Sequence, residues 1–230
     1  RHGGSMMQHD DACYHIPVLL ERSIELLVTD PAGIYVDGTL GGGGHSRLLL
    51  SRLGEMSRVL GFDQDDDAAQ YARKLFGDDH RMTVVRSNVV HLSDVLHQHE
   101  IPEIDGILLD LGVSSHQIDI PERGFSFRFE GPLDMRMDRD KRMTAADLIA
   151  RSTEAELARV FFTYGEERDS RRIARAIVEA RARGPVSSTA RLVQIIESAT
   201  SPAHRSKTLA RIFQALRIAV NDELAPLEAA

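Results

Sequence analysis

Apolar positions in the first half of the chain alternate between short continuous runs and stretches with helical spacing. Short apolar runs at residues 34–36, 58–62, 82–85 and 104–109 predict four β-strands. Helical spacing precedes the first run at residues 15–28 and follows the first three runs at residues 46–53, 66–76 and 92–99. A strand–helix alternation of this kind favours a parallel sheet with right-handed crossovers. The first half therefore predicts an α/β fold with a Rossmann-like sheet.

The second half of the chain has a different pattern, because after Gly112 the predicted strands stop and helical spacing continues. Thr153 and Glu156 have the spacing of a capping box at a helix start. Further helices are predicted at residues 169–183, from the serine pair 187–188 to residue 198, and at residues 208–224. Residues 122–138 are rich in Arg, Phe, Met and Gly without a clean period, so they predict an ordered loop.

These patterns predict two units within a chain of 230 residues, a length that fits one domain with an insertion. The sheet domain is predicted to comprise residues 7–118 and 213–230. An inserted, all-helical domain for substrate recognition is predicted at residues 119–212. Residues 1–5 resemble an expression-tag remnant and do not enter the prediction of the fold.

Composition limits the cellular setting and the chemistry. No apolar run approaches the roughly 20 residues that span a bilayer, so we expect a soluble protein with no membrane partner. Cys13 is the single cysteine, which excludes an internal disulfide and a cysteine-based zinc site. We therefore expect a cytoplasmic protein and predict no metal site.

Charge is distributed unevenly along the chain, although the formal net charge is −7. Residues 1–118 carry 9 Lys and Arg against 18 Asp and Glu, whereas residues 119–230 carry 19 against 17. A polyanion should therefore meet the second half, and the acidic first half is better suited to a small cationic cofactor.

A glycine-rich segment at residues 36–46, VDGTLGGGGHS, lies directly after the first predicted strand and before a predicted helix. Glycines there allow positive φ and a close approach of the backbone to a ligand, and the helix start offers free N–H donors. A flexible glycine turn is the alternative. Such a loop could hold either a pyrophosphate or the amino-acid end of S-adenosylmethionine.

Three aspartates follow predicted strands and should meet at one rim of the sheet. Asp63 ends the second strand 22 residues after Gly41, where a dinucleotide fold places the carboxylate that binds the ribose hydroxyls. Asp37 and Asp110 end the first and fourth strands. Their like charge favours a positively charged sulfonium cofactor over a pyrophosphate.

Six blocks of sequence occur in order along the chain. They are VDGTLGGGGHS at 36–46, DGILLDLGVSS at 105–115, ERGFSF at 122–127, GPLDMRMD at 131–138, TYGEE at 163–167 and FQALRI at 213–218. In these blocks the chain resembles the RsmH (MraW) methyltransferases. The resemblance implies a class I methyltransferase fold that transfers a methyl group from S-adenosylmethionine to N4 of a decoding-site cytidine in 16S rRNA of the small ribosomal subunit.

The resemblance also implies particular cofactor contacts. Together with Asp37 and Gly41, the predicted cofactor-binding residues are Gly43, Gly44, His45, Asp63, Val89, Asp110 and Gln117. Val89 lies where the family often has an aromatic residue beside the adenine. An aliphatic side chain there can still cover a ring face, with less stacking energy.

Catalysis requires an acceptor for the amino group of cytosine, whose nitrogen lone pair is delocalised into the ring. Asp110 is the first candidate, and Ser114 and Ser115 are further candidates. A serine pair after a strand is, however, more often a helix cap. The segment from Asp110 to Val113 also departs from the Asp/Asn-Pro-Pro-aromatic motif of many amino-group methyltransferases, so no aromatic residue is predicted to clamp the base there.

Two groups of side chains are candidates for RNA contact. Phe125 and Phe127 could stack on a flipped cytosine, as could the nearby Phe129, while Arg123 and Arg128 bind phosphates. Arg171, Arg172 and Arg175 on the helix at 169–183 could hold the RNA backbone. The alternatives are that the phenylalanines pack the insertion onto the sheet and that the arginines form a solvated helix face.

The resembled family continues beyond the last predicted helix into further strands and a Ser-Phe-His-Ser segment, whereas this sequence stops at Ala230. We therefore expect the C-terminal strands of the sheet to be missing and the fourth strand to have an open edge. A second chain, as in a homodimer, would be one way of completing the sheet. Two other classes stay open, a nicotinamide-dependent oxidoreductase on the same loop and a non-catalytic RNA-binding scaffold.

Overall fold

The computed structural model describes residues 19–225. Its sheet consists of β1 Ile34–Asp37, β2 Arg58–Asp63, β3 Met82–Arg86 and β4 Gly106–Leu108. The surrounding helices are α1 Leu20–Leu27, α2 Gly44–Arg52, α3 Asp66–Phe76, α4 Leu92–Gln98 and α5 Ser115–Asp119. All four predicted strands are confirmed, although the fourth is shorter than predicted. The proposed tag remnant and the predicted helix start at residues 15–18 lie outside the described residues.

The sheet is parallel, with strand order β3-β2-β1-β4. Val36 in β1 pairs with Leu60 on one side and Ile107 on the other. The chain thus leaves β1 toward β2 and returns to the opposite side of β1 with β4, which creates a topological switch point at the carboxyl ends of these strands. β4 lies at one edge of the described sheet, as expected, and Ile107 is 38% exposed.

Both faces of the sheet are buried, which explains why its strands read as continuous apolar runs. Tyr35 and Val59 pack on one face with helices α2 and α3. Val36 and Leu60, the next residues along their strands, point to the other face and pack with Val89 and the α4 region.

The helical unit comprises α6 Ala145–Arg151, α7 Glu154–Gly165, α8 Ser170–Arg181, α9 Thr189–Ser198 and α10 Arg205–Asn221. Thr153 and Glu156 form the predicted capping box of α7, and Ser188 caps α9 by accepting from the Arg191 amide at 3.2 Å. Both start signals are therefore confirmed. These helices share one core that contains Leu157, Ile173 and Leu192.

Helix α10 lies in the helical unit, which differs from the prediction that the chain returns to the sheet domain at residue 213. Phe213, Leu216 and Val220 are buried in the helical core. Gly165 allows α7 to approach α10 closely, because a Cβ there would lie 2.5 Å from the carbonyl oxygen of Arg211. The apolar face of α10 is therefore used against other helices.

The loop between the units is ordered, as predicted. Apart from a short 3-10 turn at Pro121–Arg123, it contains no helix between α5 and α6. Leu133 and Met135 are buried in the helical core, and the Asn221 amide donates to the Met135 carbonyl at 2.7 Å. In residues 19–225, no helix has the length and apolarity needed to span a membrane.

Candidate active site

A cleft of about 310 Å³ opens at the carboxyl ends of the strands, beside the switch point. Its walls come from the glycine turn after β1, the residues after β2, β3 and β4, the first turn of α5, and two residues of the second half. The side chains and glycines that define it include Gly38, Gly41, Gly42, Gly44, His45, Asp63, Asn88, Val89, Asp110, Ser114, Gln117, Met137 and Glu223. The sheet thus brings together residues that are far apart in sequence.

The glycine turn adopts a backbone that side chains would oppose. Gly41 has φ +48° and Gly43 has φ +73°, both in the left-handed region. A Cβ on Gly43 would also lie 2.7 Å from the ring of Phe76. Since α2 begins at Gly44, the turn delivers a helix N-terminus with its free N–H groups to the cleft. The flexible-turn alternative does not fit these close contacts.

Asp63 anchors the glycine turn from the end of β2. Its Oδ2 accepts a hydrogen bond from the Gly41 amide at 2.8 Å, and its Oδ1 accepts one from the Asp65 amide at 2.8 Å. Burial raises the pKa of Asp63 to about 6, although both backbone hydrogen bonds oppose that shift. The carboxylate lines the cleft and keeps further acceptor capacity for a ligand.

Asp37 does not line the described cleft, although it was predicted to bind the cofactor. It is fully buried and accepts hydrogen bonds from the Ser46 hydroxyl at 2.7 Å and the Thr39 amide at 3.2 Å. Burial raises the pKa of Asp37. This carboxyl therefore joins β1 to α2 and holds the glycine turn from behind.

Asp110 lies at the open side of the cleft, two residues after β4. Its backbone amide donates to the Thr39 hydroxyl at 2.7 Å, and its side chain is 41% exposed. One carboxylate oxygen lies 3.8 Å from Nδ1 of His45, a residue that is 6% exposed. Nε2 of His45 is buried without a hydrogen-bond partner among residues 19–225. The Asp110 carboxylate thus offers an acceptor at the open side of the cleft, and the unsatisfied ring nitrogen of His45 is buried.

The remaining predicted residues of this rim have structural partners. Ser114 and Gln117 form the capping box of α5, in which the Ser114 hydroxyl accepts from the Gln117 amide at 3.2 Å. This confirms the helix-cap interpretation for Ser114, which still lines the cleft, whereas Ser115 does not. Val89 is 7% exposed and forms part of the cleft floor.

Among the predicted RNA contacts of the 122–138 loop, two residues are buried, one is half-buried and two are exposed. Arg123 is 2% exposed and bonded to Asp65, so its predicted phosphate contact does not fit this placement. Phe125 is 8% exposed within the helical core, and the ring of Phe127 packs edge-on against Phe213 with centroids 5.6 Å apart. Phe125 and Phe127 therefore pack within the helical unit, rather than onto the sheet as the alternative had it. Arg128 is exposed, as a phosphate contact requires.

The arginines of α8 lie on its exposed face. Arg172 pairs with Asp169 at 2.8 Å and Arg175 with Glu154 at 3.6 Å, while Arg171 has no ion-pair partner among the described residues. These pairs are solvent-exposed and therefore weak, so they leave the arginines available to a polyanion. This face of α8 does not line the cleft.

Several residues that shape the cleft were not predicted from the sequence. Thr39 fixes the Asp110 backbone. Asn88 lies two residues after β3, as Asp110 lies two residues after β4, so its position after a strand was a signal in the sequence. Met137 and Glu223 reach the cleft from the second half. Burial raises the pKa of Glu223, which accepts from Arg217 at 2.7 and 2.9 Å. Neither position has a local pattern that predicts its role.

A parallel Rossmann-like sheet, a glycine turn that opens a helix, and carboxylates at the ends of β2 and β4 together define the class of Rossmann-like proteins that bind a nucleoside-containing cofactor. The family model described as the MraW methylase family matches residues 12–230. The chain therefore belongs to the MraW methylase family and is a methyltransferase.

Curated relatives named ribosomal RNA small subunit methyltransferase H are similar over nearly the whole chain. The protein of Bacteroides fragilis is 48% identical over 222 residues, which cover 96% of this chain and 72% of the relative. The protein of Heliobacterium modesticaldum is 50% identical over 224 residues, covering 94% and 71%. That of Symbiobacterium thermophilum is 48% identical over 223 residues, covering 94% and 70%.

Proposed function

We propose that this methyltransferase uses S-adenosylmethionine to methylate N4 of a cytidine in the decoding region of 16S rRNA, within the small ribosomal subunit. The names of the curated relatives support small-subunit rRNA as the substrate. The observation that carries the cofactor assignment is the charge of the cleft. Its ionisable lining consists of His45, Asp63, Asp110 and Glu223, with no Lys or Arg among the residues that the structure describes.

This lining fits a sulfonium nucleoside better than a dinucleotide. Asp63 and Asp110 face the cleft without a Lys or Arg partner among the described residues and therefore favour a cation, whereas Glu223 is paired with Arg217 and a pyrophosphate would add two negative charges. Asp63 offers acceptor positions for ribose hydroxyls, and the N-terminus of α2 offers N–H donors to a carboxylate. Val89 offers an apolar surface for an adenine face. The same charge argument disfavours the nicotinamide-dependent alternative.

When bound, S-adenosylmethionine supplies an electrophilic methyl group, so the chain mainly has to position the nucleophile. The Asp110 carboxylate would accept a hydrogen bond from the cytosine amino group, which directs the nitrogen lone pair toward the methyl group. The amino nitrogen would gain a bond to the methyl carbon as the carbon–sulfur bond breaks and S-adenosylhomocysteine leaves with the electron pair on sulfur. The nitrogen gives up one proton, and Asp110 is the candidate to receive it. Its exposed position at the open side of the cleft suits a group that must meet an incoming base.

The RNA would be held by exposed basic side chains of the helical unit. Arg171, Arg172 and Arg175 share the outer face of α8, and Arg128 is exposed next to Phe129, which is 44% exposed. Arginine pairs with phosphate in a bidentate manner, and such contacts are largely independent of sequence. An rRNA substrate would place the reaction in the cytoplasm, and the predicted homodimer is open to measurement by light scattering.

Calorimetry with S-adenosylmethionine, S-adenosylhomocysteine and NAD tests the cofactor. We expect binding of the first two and none of NAD, and binding of NAD alone would overturn the proposal. A transfer assay with labelled methyl donor and unmethylated small subunits tests the substrate, and nucleoside analysis of the product tests the acceptor atom. We expect label in N4-methylcytidine. Cofactor binding without any transfer would favour the scaffold alternative, and label at carbon 5 would exclude the N4 assignment.

A further inference from the structure

A buried arginine ties the loop between the two units to the first turn of α3. Nη2 of Arg123 lies 2.6 Å from Oδ2 of Asp65, and each residue is 2% exposed. The same guanidinium donates to the Met137 carbonyl at 3.2 Å and to the Asp67 carboxylate at 3.0 Å. Its remaining face lies over the ring of Phe125, 5.6 Å from the centroid. The side chain is thus held from four sides at the junction of the sheet and the helical unit.

Asp65 connects this arginine to the ligand-facing carboxylate. The Asp65 side chain caps α3 by accepting from the Asp67 amide at 3.1 Å, and the Asp65 backbone amide donates to Oδ1 of Asp63 at 2.8 Å. The other oxygen of Asp63 accepts from Gly41. The direction in which the Asp63 carboxylate points therefore depends on where the Asp65 backbone lies, and Arg123 fixes that backbone through the side chain.

A second residue converges on the same carboxylate from the segment that follows β4. Nε2 of Gln117 donates to Oδ2 of Asp65 at 2.7 Å, while its Oε1 accepts from the Ser114 amide at 3.0 Å. Asp65 is thus held from α5 and from the 122–138 loop at once. A buried ion pair adds little net stability, because the desolvation of both charges offsets their attraction. The ion pair between Arg123 and Asp65 therefore matters more for the position of Asp65 than for the stability of the fold.

We propose that Arg123 is a positioning residue for the methyl-donor site: by holding Asp65, it sets the Asp63 carboxylate in the orientation that receives the ribose. This inference rests on the proposed function of the cleft. It also means that the 122–138 loop and the cofactor carboxylate share one hydrogen-bonded connection, so a shift of this loop changes the affinity for the methyl donor.

The variants are chosen so that stability and positioning separate. Arg123→Met leaves the Asp65 charge buried without its partner, which destabilises the fold. The double variant Asp65→Asn with Arg123→Met removes both charges, and asparagine preserves the helix cap. Arg123→Lys preserves the charge without the two-pronged geometry. Arg81→Met is the matched control, since Arg81 pairs with Asp79 at 2.6 Å just before β3, at the opposite end of the strands from the cleft.

The experiment measures the Kd for S-adenosylmethionine by calorimetry and the Tm of each variant. We expect Arg123→Met and the double variant to bind about tenfold more weakly, the usual loss for one hydrogen bond to a charged group. The double variant should recover the Tm lost by Arg123→Met without recovering the affinity, and Arg123→Lys should recover part of the affinity. Arg81→Met should lower the Tm with an unchanged Kd.

An affinity that returns to the wild-type value together with the Tm in the double variant would overturn the positioning role, because the pair would then serve the fold alone. Unchanged affinity in all Arg123 variants would do the same. If Arg123→Met yields no folded protein, the double variant and Arg123→Lys decide the question. Failure of the wild-type protein to bind the methyl donor would overturn the proposed function and this inference together. Failure of the inference alone would leave wild-type binding intact.

Discussion

The raised pKa of Asp63 predicts that binding of the methyl donor depends on pH in a range where most carboxylates do not titrate. Burial raises this pKa to about 6, and the ribose hydroxyls and the sulfonium both favour the ionised form. Below pH 6 a proton therefore competes with the ligand. At pH 5 about one molecule in ten has an ionised Asp63, so the Kd should be about tenfold higher than at pH 7.

Calorimetry at pH 7, 6 and 5 measures this effect, with two variants as controls. Asp63→Asn should bind the methyl donor at least about tenfold more weakly at pH 7, because it loses a charged hydrogen bond. Its Kd should not show the tenfold change between pH 7 and pH 5. His45→Gln removes one of the two other ionisable side chains buried in the cleft, Glu223 being the second, and should preserve the pH dependence. A wild-type Kd that stays constant from pH 7 to 5, or a tenfold change that persists in Asp63→Asn, would refute the reasoning.

The raised pKa of Asp63 has the opposite effect on the stability of the ligand-free protein, which should decrease as the pH rises. Because the pKa of Asp63 is higher in the folded state than its ordinary value of 3.8, the folded state holds the proton more tightly than the unfolded chain. Its contribution to stability is fully present below pH 3.8 and is lost as the pH rises through about 6. Relative to Asp63→Asn, the wild-type free energy of unfolding should fall by about 2 kcal/mol between pH 4.5 and 7, as measured by urea denaturation. Parallel pH curves for the two proteins would contradict this.

Three further substitutions test the glycine turn, the chemistry and the RNA surface. Gly43→Ala should lower the free energy of unfolding by more than about 1 kcal/mol in urea denaturation, since a left-handed backbone and a crowded Cβ both oppose it; unchanged stability would contradict that geometry. Asp110→Asn should lower kcat about 100-fold in the methyl-transfer assay, a larger effect than its effect on the cofactor Kd, and full turnover would remove the residue from the chemistry. Changing Arg171, Arg172 and Arg175 together to Gln should weaken RNA binding and reduce the slope of log K against log salt by about 2 to 3. An unchanged slope would mean that the arginine face of α8 is solvated and does not contact RNA.

The sheet could be predicted because its strands are buried on both faces and their apolar runs are separated by helical spacing. The glycine turn, Asp63 and Asp110 could be predicted for a related reason, since the residue that follows a parallel strand must lie at the ligand-binding edge. In contrast, no local pattern shows that Arg123 is buried, because its partner Asp65 lies 58 residues away and the two meet only in the folded chain. The placement of Phe213 failed similarly, since an apolar helix face does not indicate which unit it covers.

The central claim is that a sulfonium nucleoside lies across the glycine turn with its ribose on Asp63. A crystal structure of the protein with S-adenosylmethionine tests this most directly. We predict the ribose hydroxyls within hydrogen-bonding distance of the Asp63 carboxylate and the methyl group facing Asp110. A cleft without ligand at saturating concentration, or a ligand whose ribose lies away from Asp63, would contradict it.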